Sequence, residues 1–369
     1  MPPWPIAAMV AMPARVGQGF GRRHFVAGAA ALALVSPFGV LRALGATDQR
    51  IEIVGNRFFF GQRPLRLTGV AVGDPTYIRA KRPLSDYRSL AQDWRANCAR
   101  ISVLPGLWRQ NPSDMEAALA ANVAAARAAG LFVIIDWHRV GFPGKYDPLV
   151  PSDWGLPADV SIASVAESAT FWGTLAQRYA SDPAVLFELW NEPSADARLW
   201  KATGQDWPMF KAAWEEIIAA IRPYADNIIL CAGGYWAHDL VGVKDNLIAD
   251  ARTAFVWHSY PNAERGDMPA RIRALGGLQE VKPIVVTEWG FSPEAKGELH
   301  GTVADFAEPF VTQVLDAFGL SHTAWCYSSG AMPNLLADDA GTRSGAGDFV
   351  RDLLRQAAKA DAWTQAPKP

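Results

Sequence analysis

Apolar residues in this chain fall in short runs that alternate with longer segments of helical period. The pattern opens with IEIVGNRFFFG (51–61), two apolar runs on either side of Gly55-Asn56, which predicts a β-hairpin. Eight further β-rich runs follow, LRLTGVAV (65–72), ARISVL (99–104), LFVIID (131–136) and VLFELW (185–190), then NIILCA (227–232), AFVWHSY (254–260), PIVVTEW (283–289) and HTAWCYS (322–328). Helical patterns lie between them, over 113–130 with Ser113 as N-cap and Gly130 as stop, over 210–225 and over 303–319. Strands that alternate with helices predict an α/β fold with a parallel sheet, and eight is the number that closes a (β/α)8 TIM barrel. An open doubly wound sheet is the alternative. No G-x-G-x-x-G follows the first strand, which weighs against a dinucleotide-binding version of it. The expectation is a single barrel domain with an N-terminal β-hairpin and no linker or repeat.

Residues 1–46 do not fit that pattern. GRRHFVAGAAALALVSPFGVLRALGA (21–46) has paired Arg22 and Arg23, an apolar stretch broken by Gly and Pro, and small residues at Gly45 and Ala46. That is the layout of a cleaved export signal of twin-arginine type, read as an address and not as an anchor. Its apolar run is shorter than the ~20 residues of a membrane span. The expected mature domain is 47–369, periplasmic or extracellular, with Met9 and Met12 as alternative starts. Cleavage would remove four arginines and no acid, moving the formal charge from −2 to −6. There is no Lys/Arg-rich run, so nucleic acid is not an expected partner. Cys98, Cys231 and Cys326 are an odd set beside apolar runs and read as buried thiols, not as a disulfide framework or a zinc site. Fifteen tryptophans imply many indoles in the core, with others available to a polymer-binding cleft.

In a barrel of this kind the chemistry sits where the strands end. The second run carries Arg100, the third ends Asp136-Trp137-His138, and the fourth ends Asn191-Glu192. The sixth ends His258-Ser259-Tyr260, the seventh ends Glu288-Trp289, and the eighth carries Trp325 and Tyr327. No H-E-x-x-H or similar pattern supports a metal, no cofactor is implied, and no G-x-S-x-G elbow supports an esterase. Two carboxylates across a cleft ringed by aromatics suit glycoside hydrolysis, one as acid and the other as nucleophile or as base for water. Glu188 lies four residues before Glu192, roughly 13 Å down the strand, and reads as structural. Asp136 lies one layer below the rim. That leaves Glu192 and Glu288 at the same height.

These residues resemble glycoside hydrolase family 5, the cellulase-like members of clan A. The family's Asn-Glu-Pro stands as Asn191-Glu192-Pro193 and its second glutamate as Glu288 in VVTEWG. Arg100, His138, His258, Tyr260 and Trp325 fall in family order over the remainder of the chain. The resemblance implies a retaining double displacement with Glu288 as nucleophile and Glu192 as acid and then base, carboxyl groups ~5–5.5 Å apart. It implies that Arg100 and Tyr260 orient Glu288, that Asn191 bonds the sugar 2-hydroxyl, that His138 and His258 contact substrate and nucleophile surroundings, and that Trp325 forms a sugar platform.

Two long loops, 139–161 and 329–348, could wall off one end of the cleft and favour short-chain or exo action. Trp154, Trp200, Trp207 and Trp236 follow strands and are candidates for outer subsites or for packing. The sequence therefore predicts a monomeric β-glycoside hydrolase whose partner is a carbohydrate, a β-glucan or related polysaccharide. A mannanase, an exo-acting β-glucosidase or a transglycosylase is the alternative on the same site. A non-catalytic sugar-binding protein has no need of the glutamate pair, and neither the two lobes nor the hinge of a solute-binding protein is visible.

Overall fold

The computed structural model describes residues 50–77, 83–150, 155–196, 204–263, 267–360 and 364–368. The export-signal segment 1–46, Trp154 and Trp200 lie outside them. The predicted hairpin forms as β1 (Ile51–Val54) and β2 (Arg57–Phe60), with Val54 opposite Arg57 and Gly55 at φ 60° in the turn. That positive φ is open to glycine at no steric cost. A third strand, β3 (Arg63–Leu65), extends the hairpin into an antiparallel sheet and takes the start of the expected 65–72 run. Ile51, Phe58, Phe60 and Leu65 pack with Leu67, Phe132, Ala184 and Ile228, which stand at the N-terminal ends of barrel strands. Phe60 meets Phe132 edge to face at 5.2 Å. The small sheet therefore plugs the end of the barrel opposite the chemistry.

The eight other runs form parallel strands β4 (Thr68–Ala71), β5 (Cys98–Val103), β6 (Phe132–Trp137), β7 (Val185–Glu188), β8 (Ile229–Ala232), β9 (Thr253–Ser259), β10 (Ile284–Trp289) and β11 (Ser321–Ala324). They close in the order β10-β11-β4-β5-β6-β7-β8-β9. Every strand residue is buried, as a sheet covered on both faces requires. Gly69 in β4 has no room for a side chain, since a Cβ there would lie 1.8 Å from the Cys98 carbonyl oxygen.

The outer layer includes the helices Pro112–Ala128, Val165–Tyr179, Trp207–Ile221 and Gly345–Ala357. The cap of the first is Asn111, whose side chain accepts from the Asp114 N–H, and not Ser113, which lies inside the helix. Asn111 wins because Pro112, lacking an N–H, suits the first helical position. The predicted 303–319 helix is instead a π-turn (Val303–Ala307), a short α-turn (Glu308–Phe310) and a second π-turn (Val311–Asp316). Pro309 cannot donate to the ladder there, and wider turns take up the gap. Much of the tryptophan load is core: Trp137, Trp172, Trp190, Trp207, Trp214, Trp257 and Trp289 are fully buried. Cys98, Cys231 and Cys326 are buried free thiols.

Candidate active site

The C-terminal rim is organised around one buried cation. Arg100, in the middle of β5, donates from Nε and Nη2 to the two oxygens of Glu188 at 2.7 and 2.9 Å. Nη2 also reaches Asn191 Oδ1 at 2.7 Å and Asp136 Oδ2 at 3.0 Å, and Nη1 reaches Glu288 Oε1 at 2.8 Å. Burial works against the guanidinium charge, but Asp136, Glu188 and Glu288 together keep its pKa well above the ordinary value. The planar fork is what lets one side chain serve four partners.

Glu288 takes its second hydrogen bond from the Tyr260 hydroxyl, 2.8 Å from Oε2. Burial, with Glu288 and Glu192 adding, raises the Tyr260 phenol well above its usual range, so it stays a donor. Glu192 lies beyond the regular end of β7, because the ladder stops at Glu188 and not at Trp190 as the sequence pattern predicts. Its backbone is still pinned: its N–H donates to the Arg139 carbonyl at 3.0 Å, and its carbonyl accepts from Gly141 N–H at 2.8 Å. The Glu192 side chain keeps 19% exposure, whereas Glu288 keeps 6%. Burial pushes Glu192 up to about 7, with Glu298 adding and His238 and His138 opposing. One oxygen of Glu192, one of Glu288 and a ring nitrogen of His258 lie within 4.8 Å of one another.

That trio also has the spacing of a potential metal-ligand set among the described residues. Arg100 already sets a positive charge against Glu288, and Tyr260 occupies its other oxygen. The first lone pairs a cation would claim are therefore engaged. His258 is fully buried, and burial, aided by Arg100 and opposed by Glu288, lowers it to about 3, so the ring is neutral. His138 differs. Burial again disfavours its charge, but Asp136, 2.7 Å from Nδ1, outweighs that and raises its pKa.

The structure brings Arg100, His138, Asn191, Glu192, His258, Tyr260 and Glu288 to one rim, and Trp325 joins them from just past β11. Its half-buried indole lies parallel to the His138 ring, centroids 5.5 Å apart and planes 7° apart, and donates to the Met332 carbonyl. Trp236 is half-buried, its backbone N–H donating to the carbonyl of Pro193, next to Glu192, and its ring against Tyr146. Trp207 is not on the cleft. It is a core residue, because its helix turns the indole inward, where Nε1 donates to the Asn246 carbonyl.

Sequence reasoning missed three residues. His238 places Nδ1 2.9 Å from the His258 carbonyl and Nε2 3.2 Å from Glu298. It follows Tyr235, Trp236 and Ala237, three consecutive non-glycine residues at φ 64°, 54° and 62°. Nothing in that stretch has strand or helix period, so its only signal was the Gly233-Gly234 pair. Glu298 sits on a short turn after β10, and Thr287 was hidden inside an apolar strand.

Residues 60–331 match the Cellulase (glycosyl hydrolase family 5) family. This chain belongs to that family. Among curated relatives of this family-5 chain, Endoglucanase C of Evansella cellulosilytica is 28% identical over 291 residues, 71% of this chain and 34% of its own. Endoglucanase MaCel5A of Microbulbifer sp. is 25% identical over 288 residues, 72% of this chain and 50% of its own. The chain thus spans about a third to a half of the length of these two relatives. A beta-glucanase of Saccharophagus degradans, solved in complex with cellotetraose, superposes with a TM-score of 0.74 at 24% identity, covering 85% of this chain and 94% of that one. The catalytic domain of Thermobifida fusca endoglucanase Cel5A does so with 0.65 at 23% identity, covering 83% and 97%. Both share the barrel. Among the described residues no helix is long and apolar enough to cross a membrane.

Proposed function

We propose that this chain is a retaining β-glycoside hydrolase acting on β-linked glucan, with Glu288 as nucleophile and Glu192 as acid and base. The observation that carries the reading is the state of the two glutamates. Glu288 is held on both oxygens by donors at 2.8 Å, while Glu192, with an oxygen within 4.8 Å of one of Glu288, is pushed to about 7. Retaining pairs stand ~5–5.5 Å apart, whereas inversion leaves roughly 6.5–9.5 Å for a water. The close pair favours retention.

In the first step a Glu288 oxygen attacks the anomeric carbon. The glycosidic C–O bond breaks, and the Glu192 proton passes to the leaving oxygen. In the second, Glu192 carboxylate takes a proton from water, the water oxygen attacks the same carbon, and Glu288 departs as carboxylate. Arg100 and Tyr260 fix the line of attack. Asn191 spends its side-chain carbonyl on Arg100, which turns its amide donors to the sugar 2-hydroxyl. Trp325, braced by His138, offers an indole face to a sugar ring.

The endoglucanase relatives and the cellotetraose held by a structural neighbour support a glucan as the substrate. We also propose export through the twin-arginine segment, since Arg22-Arg23 precede its apolar run. Lysines at both positions should block export, and unchanged periplasmic yield would remove that claim. For the chemistry, Glu288→Gln should abolish turnover of cello-oligosaccharides and keep cellotetraose binding. Wild-type rates in that variant would sink the assignment.

A further inference from the structure

The pairing of β9 with β10 slips at one position: Val286 stands opposite Trp257 and Glu288 opposite His258, so Thr287 is an extra residue in the ladder. A β-bulge re-aims side chains next to it. Here it lets two consecutive residues, Thr287 and Glu288, both meet groups of the site, which a regular strand would send to opposite faces.

The Thr287 hydroxyl is fully buried and has two partners. It donates to Glu188 Oε1 at 2.9 Å, and His258 Nε2 lies 3.0 Å from it. Glu188 already receives two N–H groups from Arg100, so with Thr287 it holds three donors; burial raises its pKa to about 7, and the Arg100 charge and these donors oppose that by favouring the carboxylate, the form that accepts all three. A hydroxyl has one proton. Given to Glu188, it leaves the Thr287 oxygen only as an acceptor, so His258 must carry its proton on Nε2. A neutral imidazole has one N–H, and Nδ1, 3.2 Å from Glu192 Oε1, can then only accept. The proton in that last bond has to come from Glu192.

We propose that Thr287 is a positioning residue, which fixes His258 as the Nε2–H tautomer and thereby holds Glu192 in its proton-donating form. The inference rests on the reading of Glu192 as the acid. The other charged or titratable groups facing this pair are Arg100 on β5, Asp136 and His138 at β6, His238 after β8, Tyr260 after β9, and Glu288 and Glu298 at and after β10. Removing the hydroxyl strips Nε2–H of its acceptor. The ring then favours Nδ1–H, which donates to Glu192 and stabilises the carboxylate.

The test compares Thr287→Val with Thr287→Ser in the pH profile of kcat/KM on a cello-oligosaccharide. The valine variant should move the alkaline limb down by about one pH unit and lose about 5-fold at pH 7, approaching 10-fold above the limb. Serine, which keeps the hydroxyl, should restore the wild-type limb. An unmoved limb in the valine variant, or a serine variant as impaired as valine, overturns the proposal. Should the valine variant not fold, 15N-histidine NMR of the wild-type enzyme decides, with His258 identified by the signal lost in His258→Gln. A neutral Nε2–H ring at mildly acidic pH is expected, and an Nδ1–H or cationic ring overturns the proposal. Glu192→Ala separates the two claims. It should be impaired on cello-oligosaccharide but not in the first step with a dinitrophenyl glycoside. If that contrast is missing, the acid assignment fails. If it is present and the Thr287→Val limb stays in place, the tautomer proposal alone fails.

Discussion

Raising the pH should switch off Glu192 near neutrality and not two units below it. At the ordinary carboxyl value of 4.5 only about 0.3% of the residue would be protonated at pH 7, whereas at about 7 roughly half is. Burial thus gives the acid an advantage of about 150-fold at pH 7, or ~3 kcal/mol at 1.36 kcal/mol per pKa unit. The source is desolvation of a side chain with 19% exposure, reinforced by Glu298 and offset by His238 and His138. The assay is kcat/KM against pH on two substrates. With cellotetraose, whose leaving group needs a proton, the alkaline limb should fall near pH 7. With a dinitrophenyl cellobioside the leaving group departs unprotonated, and that limb should vanish from the glycosylation step. Limbs at the same pH for both substrates, or a cellotetraose limb near pH 5, would contradict an acid role for a Glu192 raised by burial.

The same raised pKa carries a stability consequence. Its contribution is fully present below 4.5 and is lost as pH rises through about 7, so Glu192→Gln should stabilise the fold above pH 7 by about 2 kcal/mol, with little effect near pH 4. Denaturant titrations at the two pH values check the sign. Arg100→Lys keeps a charge but not the fork that serves Asp136, Glu188, Asn191 and Glu288, and should cost about 3–5 kcal/mol in thermal unfolding; a loss under about 1 kcal/mol would contradict the central role of that cation. Trp325→Ala removes the face stacked on His138 and should lower kcat/KM about 10-fold on cello-oligosaccharides, with the folded state intact by circular dichroism.

The barrel was legible because its signals are local and repeated. Each of the eight apolar runs overlaps a barrel strand, and the Gly55-Asn56 turn sits where the hairpin needs it. The rim residues were legible because function places polar groups at strand ends, against the apolar pattern. Strand lengths were less so: VLFELW stops pairing regularly at Glu188, and Trp325 and Tyr327 lie past β11, because periodicity does not record where the ladder hydrogen bonds cease. Thr287 was invisible for a different reason. In VVTEWG a threonine beside a glutamate reads as the opposite face of a strand, and only the slipped register turns both to the site. His238 and Glu298 come from irregular segments that meet across two loops, a contact no local pattern encodes.

The central claim is a covalent glycosyl intermediate on Glu288. It is tested most directly by incubating the enzyme with a 2-deoxy-2-fluoro cellobioside carrying a good leaving group, then mapping the adduct by peptide mass spectrometry. One glycosyl unit per chain is expected, on the peptide containing Glu288, with slow return of activity as water releases it. A label on Glu192 or Glu188, or hydrolysis with inverted anomeric configuration and no label, would contradict it.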